Sequence, residues 1–408
     1  MSLQVEYVSR LSDVLAPVLE HLRQPVDLFA KQHVVVPTAG VKAWLMSEVA
    51  KQLGTSGPNS EDGIIANVEV DFPGSLTKFL KPPVIGDRDP WLIENLTFHV
   101  LDVISADAQY EPIIKRSGGP LIAARAIADR FDRYHVRRPA MIRLWEQGKA
   151  TVSPTAHNPN AKQLNATDMW QFQLWSEVRK RIGQPSPAAR KPELSSKTPK
   201  QILVVGFQSL SPGQIDALLQ LKDHVDVRVV LVHPSPAISQ KWGVTADPTV
   251  GLIPERNPTP SMPADIDPLV NAWLLGSQEL ETLLASQQIE ATHVAHAGST
   301  SQNLLNRMQQ TVAQHLSAVE QSVESEDRSL MIHRCHDLSR QVEVLHDALL
   351  HAFTDLKDLQ PHEIVVLCPN IEKAAPYLEA TFSRVLKLKG QNVKLPLIVA
   401  DRGILQVN

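Results

Sequence analysis

The amino-acid sequence predicts an α/β protein with a parallel sheet and helices on both of its faces. Continuous apolar runs such as His33–Val36 and Gln201–Phe207 alternate with segments of helical periodicity. Runs of this kind are typical of parallel strands that are covered on both faces. Helical periodicity dominates residues 82–199, which indicates a helical insertion that interrupts the sheet domain.

Composition excludes several classes of protein. The chain has 408 residues, 43% of them hydrophobic, with a net charge of −4, which favours two or three globular domains over a coiled coil or a polycation. Cys335 and Cys368 alone cannot build a disulfide framework or a CxxC zinc site, so a reducing cytoplasm is expected. No export signal or long apolar span is recognisable. We therefore expect a soluble, cytoplasmic protein without membrane contact.

Each predicted strand of the sheet domain leads towards a helix. The cap-plus-proline signal at Ser211-Pro212, for example, starts a helix directly after a buried strand. The predicted strands are Leu3–Val8, His33–Val36, Ile64–Phe72, Gln201–Phe207 and Val225–His233, and the helices are Ser12–Arg23, Val41–Leu53, Ser211–Leu221, a helix opened by Asp267-Pro268, and Leu304–Val323.

After a polar break at residues 324–327, the pattern starts again. Strands are predicted at Leu330–Arg334, Ile364–Pro369 and Leu395–Val399, with helices at Ser339–Phe353 and Ala374–Val385. We read this stretch as the start of a second α/β domain. The predicted division is residues 1–81 with 200–325 for the sheet domain, 82–199 for the insertion and 326–408 for the partial second domain.

The loop after the second strand lies where a phosphate-binding loop would lie. A true loop of this type reads Gly-x-x-x-x-Gly-Lys-Ser/Thr, but here Val41 separates Gly40 from Lys42, and Ala43 replaces the hydroxyl residue that holds magnesium. Gln208, at the end of a later strand, cannot replace an acidic metal ligand. Three interpretations stay open: a structural turn, a nucleotide site, and a degenerate site that contacts something else.

Residues 125–143 form the most basic segment of the chain. On a helix, Arg130, Arg133 and Arg137 share one face, and the nearby Phe131, Tyr134 and Trp145 are available for core packing or base stacking. Contact with a nucleic-acid backbone is one interpretation, and a solvated helix with Asp–Arg pairs is the other. No His/Cys cluster, serine elbow or carboxylate cluster is recognisable, so neither a metal site nor catalytic residues are predicted.

Several of these segments resemble one known family. Val36–Gly40 with Trp44-Leu45, Asp129–Tyr134 with Arg138-Pro139, and above all Arg340–Asp347 are similar, in order and spacing, to the exodeoxyribonuclease V gamma subunit family, RecC, in its N-terminal helicase-like region. The resemblance extends over essentially the whole chain. It implies a superfamily 1 helicase-like, P-loop-type fold that has lost its ATPase motifs.

The resemblance also implies a function. Family members serve with RecB-like and RecD-like subunits in a heterotrimer that repairs double-strand breaks by homologous recombination, where they guide single-stranded DNA and recognise Chi. ATP and magnesium are used by the partner subunits, so no cofactor is expected in this chain. The alternatives are an ATP-using, AddB-like helicase–nuclease subunit and a purely structural scaffold.

Site residues are carried over from the family by position. Gly40 and Lys42 would form a degenerate nucleotide loop. The residues that would line the path of the DNA are Pro37, Thr38, Ala39, Ala43, Phe72, Lys78, Asp129, Arg130, Asp132, Arg133 and Arg138.

Overall fold

A computed structural model describes most of the chain. The described residues are 2–24, 27, 29–53, 63, 65–81, 89–152, 162–190, 193–194, 198–242, 267–294, 303–316, 324–388 and 391–399. The chain divides into two compact units, Met1–Gln302 with Asn306–Glu320, and Asn303–Leu305 with Gln321–Asn408. No helix within the described ranges has the length and apolar character needed to cross a membrane.

The first unit is built on a six-stranded parallel sheet, which confirms the predicted α/β class. Its strands run in the order β3-β2-β6-β7-β1-β8, and every neighbouring pair is parallel. The strands of the described residues are β1 (Leu3–Val8), β2 (Gln32–Val35), β3 (Val68–Asp71), β4 (Leu80–Lys81), β5 (Glu193–Leu194), β6 (Gln201–Phe207), β7 (Asp226–Val232), β8 (Ala291–His293), β9 (Leu386–Leu388) and β10 (Gln391–Val393).

Helices account for most of the remaining regular structure. Several begin at predicted caps: the Ser211 hydroxyl accepts a hydrogen bond from the Gln214 amide, and the Asp267 carboxylate accepts one from the Leu269 amide. The helices are α1 (Leu15–Arg23), α2 (Ala39–Leu53), α3 (Leu76–Phe79), α4 (Ile93–Ala106), α5 (Glu111–Ser117), α6 (Pro120–Arg137), α7 (Pro139–Glu146), α8 (Met169–Ile182), α9 (Pro212–Leu221), α10 (Pro236–Trp242), α11 (Pro268–Ser286), α12 (Leu304–Gln314), α13 (Leu338–Asp355) and α14 (Ile371–Phe382).

Both faces of the sheet are covered, as the continuous apolar runs predict. Successive residues of a strand point to opposite faces, so Val34 belongs to one core and Val35 to the other. Leu45 of α2 packs in the core that contains Val34, whereas Leu218 of α9 packs in the core that contains Val35. Burial of each such side chain contributes about 1.5–3 kcal/mol.

Helices α4 to α8 form a separate aromatic core within the first unit. Phe131 and Trp145 are 1% and 3% exposed, so neither is available to stack on a base, and that part of the sequence-based interpretation is wrong. The Trp145 indole donates a hydrogen bond to the Thr151 carbonyl over 2.8 Å. The ring of Trp145 is buried and its polar N–H is hydrogen-bonded, so Trp145 stabilises this core together with the buried ring of Phe131.

The second unit departs from the sequence prediction. Segments 330–334, 364–369 and 395–399 are not strands, because no described residue forms a ladder with them. Among its described residues, the unit contains α13, α14 and an antiparallel pair of short strands, β9 and β10. The sequence pattern indicated a tendency to form extended structure, but a strand forms only where a neighbouring strand pairs with it.

Two edges of the main sheet also differ from expectation. Of the predicted strand Ile64–Phe72, residues Val68–Asp71 form a strand, since Asn67 adopts a left-handed φ of 63° that ends the extended backbone, and Ile64 lies outside the described residues. Strand β8 was not predicted, since its three residues, Ala291–His293, contain no β-branched run. The other sheet strands lie within one residue of their predicted ends.

Candidate nucleic-acid interface

The loop between β2 and α2 is a capped helix start. The Thr38 hydroxyl accepts a hydrogen bond from the Val41 amide over 3.2 Å, and the Thr38 carbonyl accepts one from the Lys42 amide over 3.0 Å. Thr38, Ala39, Gly40 and Ala43 are exposed, and Pro37 is half-buried. The loop therefore presents backbone and small side chains to solvent.

Lys42 is turned away from this loop. Its ammonium group donates a hydrogen bond to the carbonyl of Val70 over 2.6 Å and lies 5.8 Å from the centroid of the Phe72 ring. In a phosphate-binding loop the corresponding lysine reaches the β- and γ-phosphates. Here the amine instead ties α2 to the end of β3, so it offers no cation to a phosphate at the helix start.

The loop rests closely on β6. Gly206 adopts a φ of 79° where the pairing with β7 shifts register, and a methyl group there would lie 3.2 Å from Leu11 and 3.5 Å from Val41. The ring of Pro37 lies next, at 3.7 Å. Glycine at this position lets the loop approach the strand. Gln208, the residue directly after β6, is exposed and carries no acidic group.

Helix α6 carries the charged part of the candidate site. Arg130, Arg133 and Arg138 are exposed, and Asp129 and Asp132 are half-buried. The Arg133 guanidinium pairs with Asp129 over 2.8 Å, one helical turn away. Arg138 ends the helix.

The last turn of α6 brings Arg138 over an aromatic ring. Its guanidinium carbon lies 5.8 Å from the centroid of Tyr134, and the Tyr134 hydroxyl donates a hydrogen bond to the Gln171 side chain over 2.6 Å. Tyr134 is thereby fixed by α8. The Arg138 side chain therefore lies against the end of α6, and Arg138 remains exposed to solvent.

Asp132 points into a cleft between the helical region and the sheet region. The cleft has a volume of about 440 Å³ and is also lined by Pro73 and Gly74, which directly follow Phe72. Burial raises the pKa of Asp132, and the nearby negative charges of Asp129 and Glu94 add to the increase. The structure thus brings Asp132 close to the segment after Phe72.

The other predicted residues are distributed over the loops at the end of the sheet and along helix α6. Phe72 is 44% exposed, and Lys78 lies on α3 with a side chain outside the described set. The loop residues lie at the carboxyl ends of β2 and β6, and the arginines lie along α6.

Sequence reasoning missed several polar residues of the cleft. Asp89 and Arg190 form a half-buried two-point ion pair, with one contact of 2.8 Å, and Arg190 is 101 residues away from its partner. His135 is 5% exposed, and burial lowers its pKa to about 3. The i, i+3 spacing of Asp132 and His135 was the only local signal that both point the same way.

Among the described residues, side chains able to hold a metal ion gather at His33, Glu69 and Asp71.

Comparison with known proteins gives a consistent set of relatives. A family model described as "RecC, N-terminal domain" matches residues 3–315. RecBCD enzyme subunit RecC of Mycobacterium tuberculosis (strain ATCC 25618 / H37Rv) is 28% identical over 99% of this chain and 38% of the relative. The subunits of Haemophilus influenzae and Escherichia coli are each 23% identical, over 97% and 98% of this chain and 40% and 39% of their own lengths. The chain thus spans about two fifths of these relatives.

Proposed function

This chain belongs to the RecC family, and we propose that it forms the DNA-guiding N-terminal region of a RecC-type subunit. In this proposal the subunit works in the cytoplasm with RecB-like and RecD-like partners, within a helicase–nuclease that acts in double-strand break repair by homologous recombination. In this proposal the chain itself has no catalytic role and uses no nucleotide cofactor. ATP and magnesium are used by the partners, and this region guides single-stranded DNA and recognises Chi.

The observation that carries the proposal is the hydrogen bond between Lys42 and the Val70 carbonyl. A nucleotide loop needs a lysine that faces the phosphates and a hydroxyl that holds magnesium. This loop has neither, since Ala43 stands at the hydroxyl position. The sheet and its loops fit a superfamily 1 helicase-like domain that has lost nucleotide binding, with 82–199 as its helical insertion and 326–408 as part of a second domain.

The charges of α6 support a DNA path along that helix. Exposed arginines neutralise phosphates without reading sequence, whereas carboxylates repel phosphates and accept hydrogen bonds from base amino groups. Asp132 lies in the cleft, and Arg130 and Arg138 lie in solvent. We infer that the arginines hold the backbone of a single strand while Asp132 and Asp129 contact base edges.

One contact favours the scaffold alternative. The pair between Arg133 and Asp129 is the arrangement expected of a solvated helix, and it occupies a charge that DNA would otherwise use. An ATP-using subunit is the other alternative. Two experiments on the purified chain separate these functions.

The first experiment measures binding of a fluorescent ATP analogue with magnesium, with an established P-loop ATPase as positive control. We expect no saturable binding up to millimolar nucleotide, because Lys42 and Ala43 supply neither phosphate contact nor a metal ligand. Saturable, magnesium-dependent binding would restore the ATP-using alternative.

The second experiment measures the affinity for a fluorescent single-stranded oligonucleotide as a function of salt. Arg138→Ala should weaken binding and reduce the slope of log K against log salt by about 0.7, the value for one phosphate contact on a single strand. Arg116→Ala is the matched control, because Arg116 is exposed on α5, outside the proposed path. Equal affinity and slope in the wild-type chain and Arg138→Ala would remove Arg138 from the path and favour the scaffold.

A further inference from the structure

Three side chains with metal-binding atoms share one face of the sheet near its edge. Strand β3 is the edge strand, and its parallel pairing with β2 sets His33 opposite Glu69 and Val35 opposite Asp71. Residues two apart on a strand point the same way, so Glu69 and Asp71 both lie on the face of His33. The sheet register, and not sequence proximity, assembles this group.

The geometry of the group suits a single ion. One ligand atom from each of His33, Glu69 and Asp71 lies within 4.8 Å of the others, and all three residues are half-buried. The edge of the His33 imidazole meets the ring of Phe79, with centroids 5.1 Å apart. That contact packs the imidazole against an apolar ring.

One nitrogen of the His33 imidazole has no hydrogen-bond partner. This atom, Nδ1, is also shielded from solvent. Burial lowers the pKa of His33, whereas the charges of Glu69 and Asp71 raise it. A neutral imidazole and ionised carboxylates are the protonation states that bind metals.

We propose that His33, Glu69 and Asp71 form a binding site for one divalent transition-metal ion. A set of one imidazole and two carboxylates, without thiolates, fits Zn²⁺ or Mn²⁺, and three protein ligands leave positions for water. Lys31 now pairs with Glu69 over 2.9 Å, but its side chain is 65% exposed and can move into solvent when an ion binds. The ion would place positive charge between the two carboxylates, which belong to residues two apart on β3.

The ion would connect the two strands that carry the loop part of the candidate interface. His33 lies four residues before Pro37, and Asp71 directly precedes Phe72. The Asp71 carbonyl already accepts a hydrogen bond from the Val36 amide over 2.9 Å. A metal between the side chains would add a second link at the sheet edge. This inference does not depend on the proposed DNA function.

The test is a titration of the purified chain with Mn²⁺, followed by electron paramagnetic resonance. We expect one bound ion per chain, with electron spin-echo modulation from the nitrogen of a coordinated imidazole. His33→Asn should abolish the nitrogen signal, and Glu69→Gln should weaken binding at least tenfold. His351→Asn, at an exposed histidine of the second unit, is the matched control and should change neither.

The variant Lys31→Met distinguishes a metal-ion site from the Lys31–Glu69 ion pair alone. It removes the competing ammonium group and keeps all three ligands, so it should tighten Mn²⁺ or Zn²⁺ binding and leave the nitrogen signal intact. Circular dichroism confirms folding of each variant, and Asp71→Asn replaces Glu69→Gln if the latter does not fold. Failure to bind either ion at millimolar concentration would overturn the proposal, as would binding that His33→Asn leaves unchanged.

Discussion

Strand β2 and segment 364–369 both contain consecutive β-branched residues, but their surroundings are opposite. Val34 and Val35 are 1% and 0% exposed, whereas Val365 and Leu367 are 77% and 89% exposed. Strand β2 lies between β3 and β6, but segment 364–369 forms no ladder with any described residue. The difference shows that a run of β-branched residues supplies the tendency to extend, and that neighbouring strands and helices supply the burial.

The largest effect should come from equal truncations in the two settings. Leu203→Ala on β6 removes a fully buried side chain and should lower the free energy of unfolding by about 2–5 kcal/mol. Leu367→Ala removes an 89% exposed side chain and should change it by no more than about 0.5 kcal/mol. Urea unfolding followed by circular dichroism measures both. Similar losses for the two variants would break the comparison.

A second prediction concerns how the free energy of unfolding depends on pH when a titratable group is buried. The pKa of His135 falls from 6.5 to about 3 on burial, so the unfolded chain takes up this proton first as the pH falls. Stability should therefore decrease between about pH 6.5 and 3, with His135 contributing up to about 1.4 kcal/mol per pH unit.

His135→Gln is the variant that isolates this contribution. The Trp175 indole donates to Nε2 of His135 over 3.4 Å, and a glutamine carbonyl can accept the same bond without titrating. Urea unfolding at pH 7 and pH 5 measures the slope for both proteins. An unchanged slope in the variant would show that His135 is not the group responsible.

A further prediction concerns two helical glycines in the first unit. A methyl group on Gly213 would lie 2.5 Å from the backbone carbonyl oxygen of Val136, so Gly213→Ala should force α9 away from α6 and cost about 1–3 kcal/mol. A methyl group on Gly276 would first meet Ser209 at 4.0 Å, so Gly276→Ala should stabilise α11 by up to about 1 kcal/mol. Thermal unfolding distinguishes the two signs, and loss of stability in both variants would contradict this account.

Local signals predicted most of the main sheet. The runs Leu3–Val8 and Gln201–Phe207 became strands with the predicted ends, and the cap at Ser211 started a helix where expected. The runs at 330–334 and 364–369 were assigned by the same rule and did not pair. Partner strands are a property of distant sequence, which a local pattern does not contain.

The candidate site was predictable in composition but not in orientation. The missing glycine and Ala43 were visible in the sequence, whereas the direction of Lys42 depends on the carbonyl of Val70, 28 residues later. Likewise, His33 meets Glu69 only through the register of two strands. Contacts of this kind follow from tertiary structure, so sequence patterns predicted which residue types were present and could not predict what they touch.

The hydrogen bond from Lys42 to Val70 also bears on how readily this loop could acquire nucleotide binding. A mutation of Ala43 to serine would restore a hydroxyl, but the amine would still be engaged with the end of β3, and its release would leave the Val70 carbonyl without that donor. We expect each step towards nucleotide binding to be costly or neutral by itself. Nucleotide binding at this loop would then require at least two substitutions together.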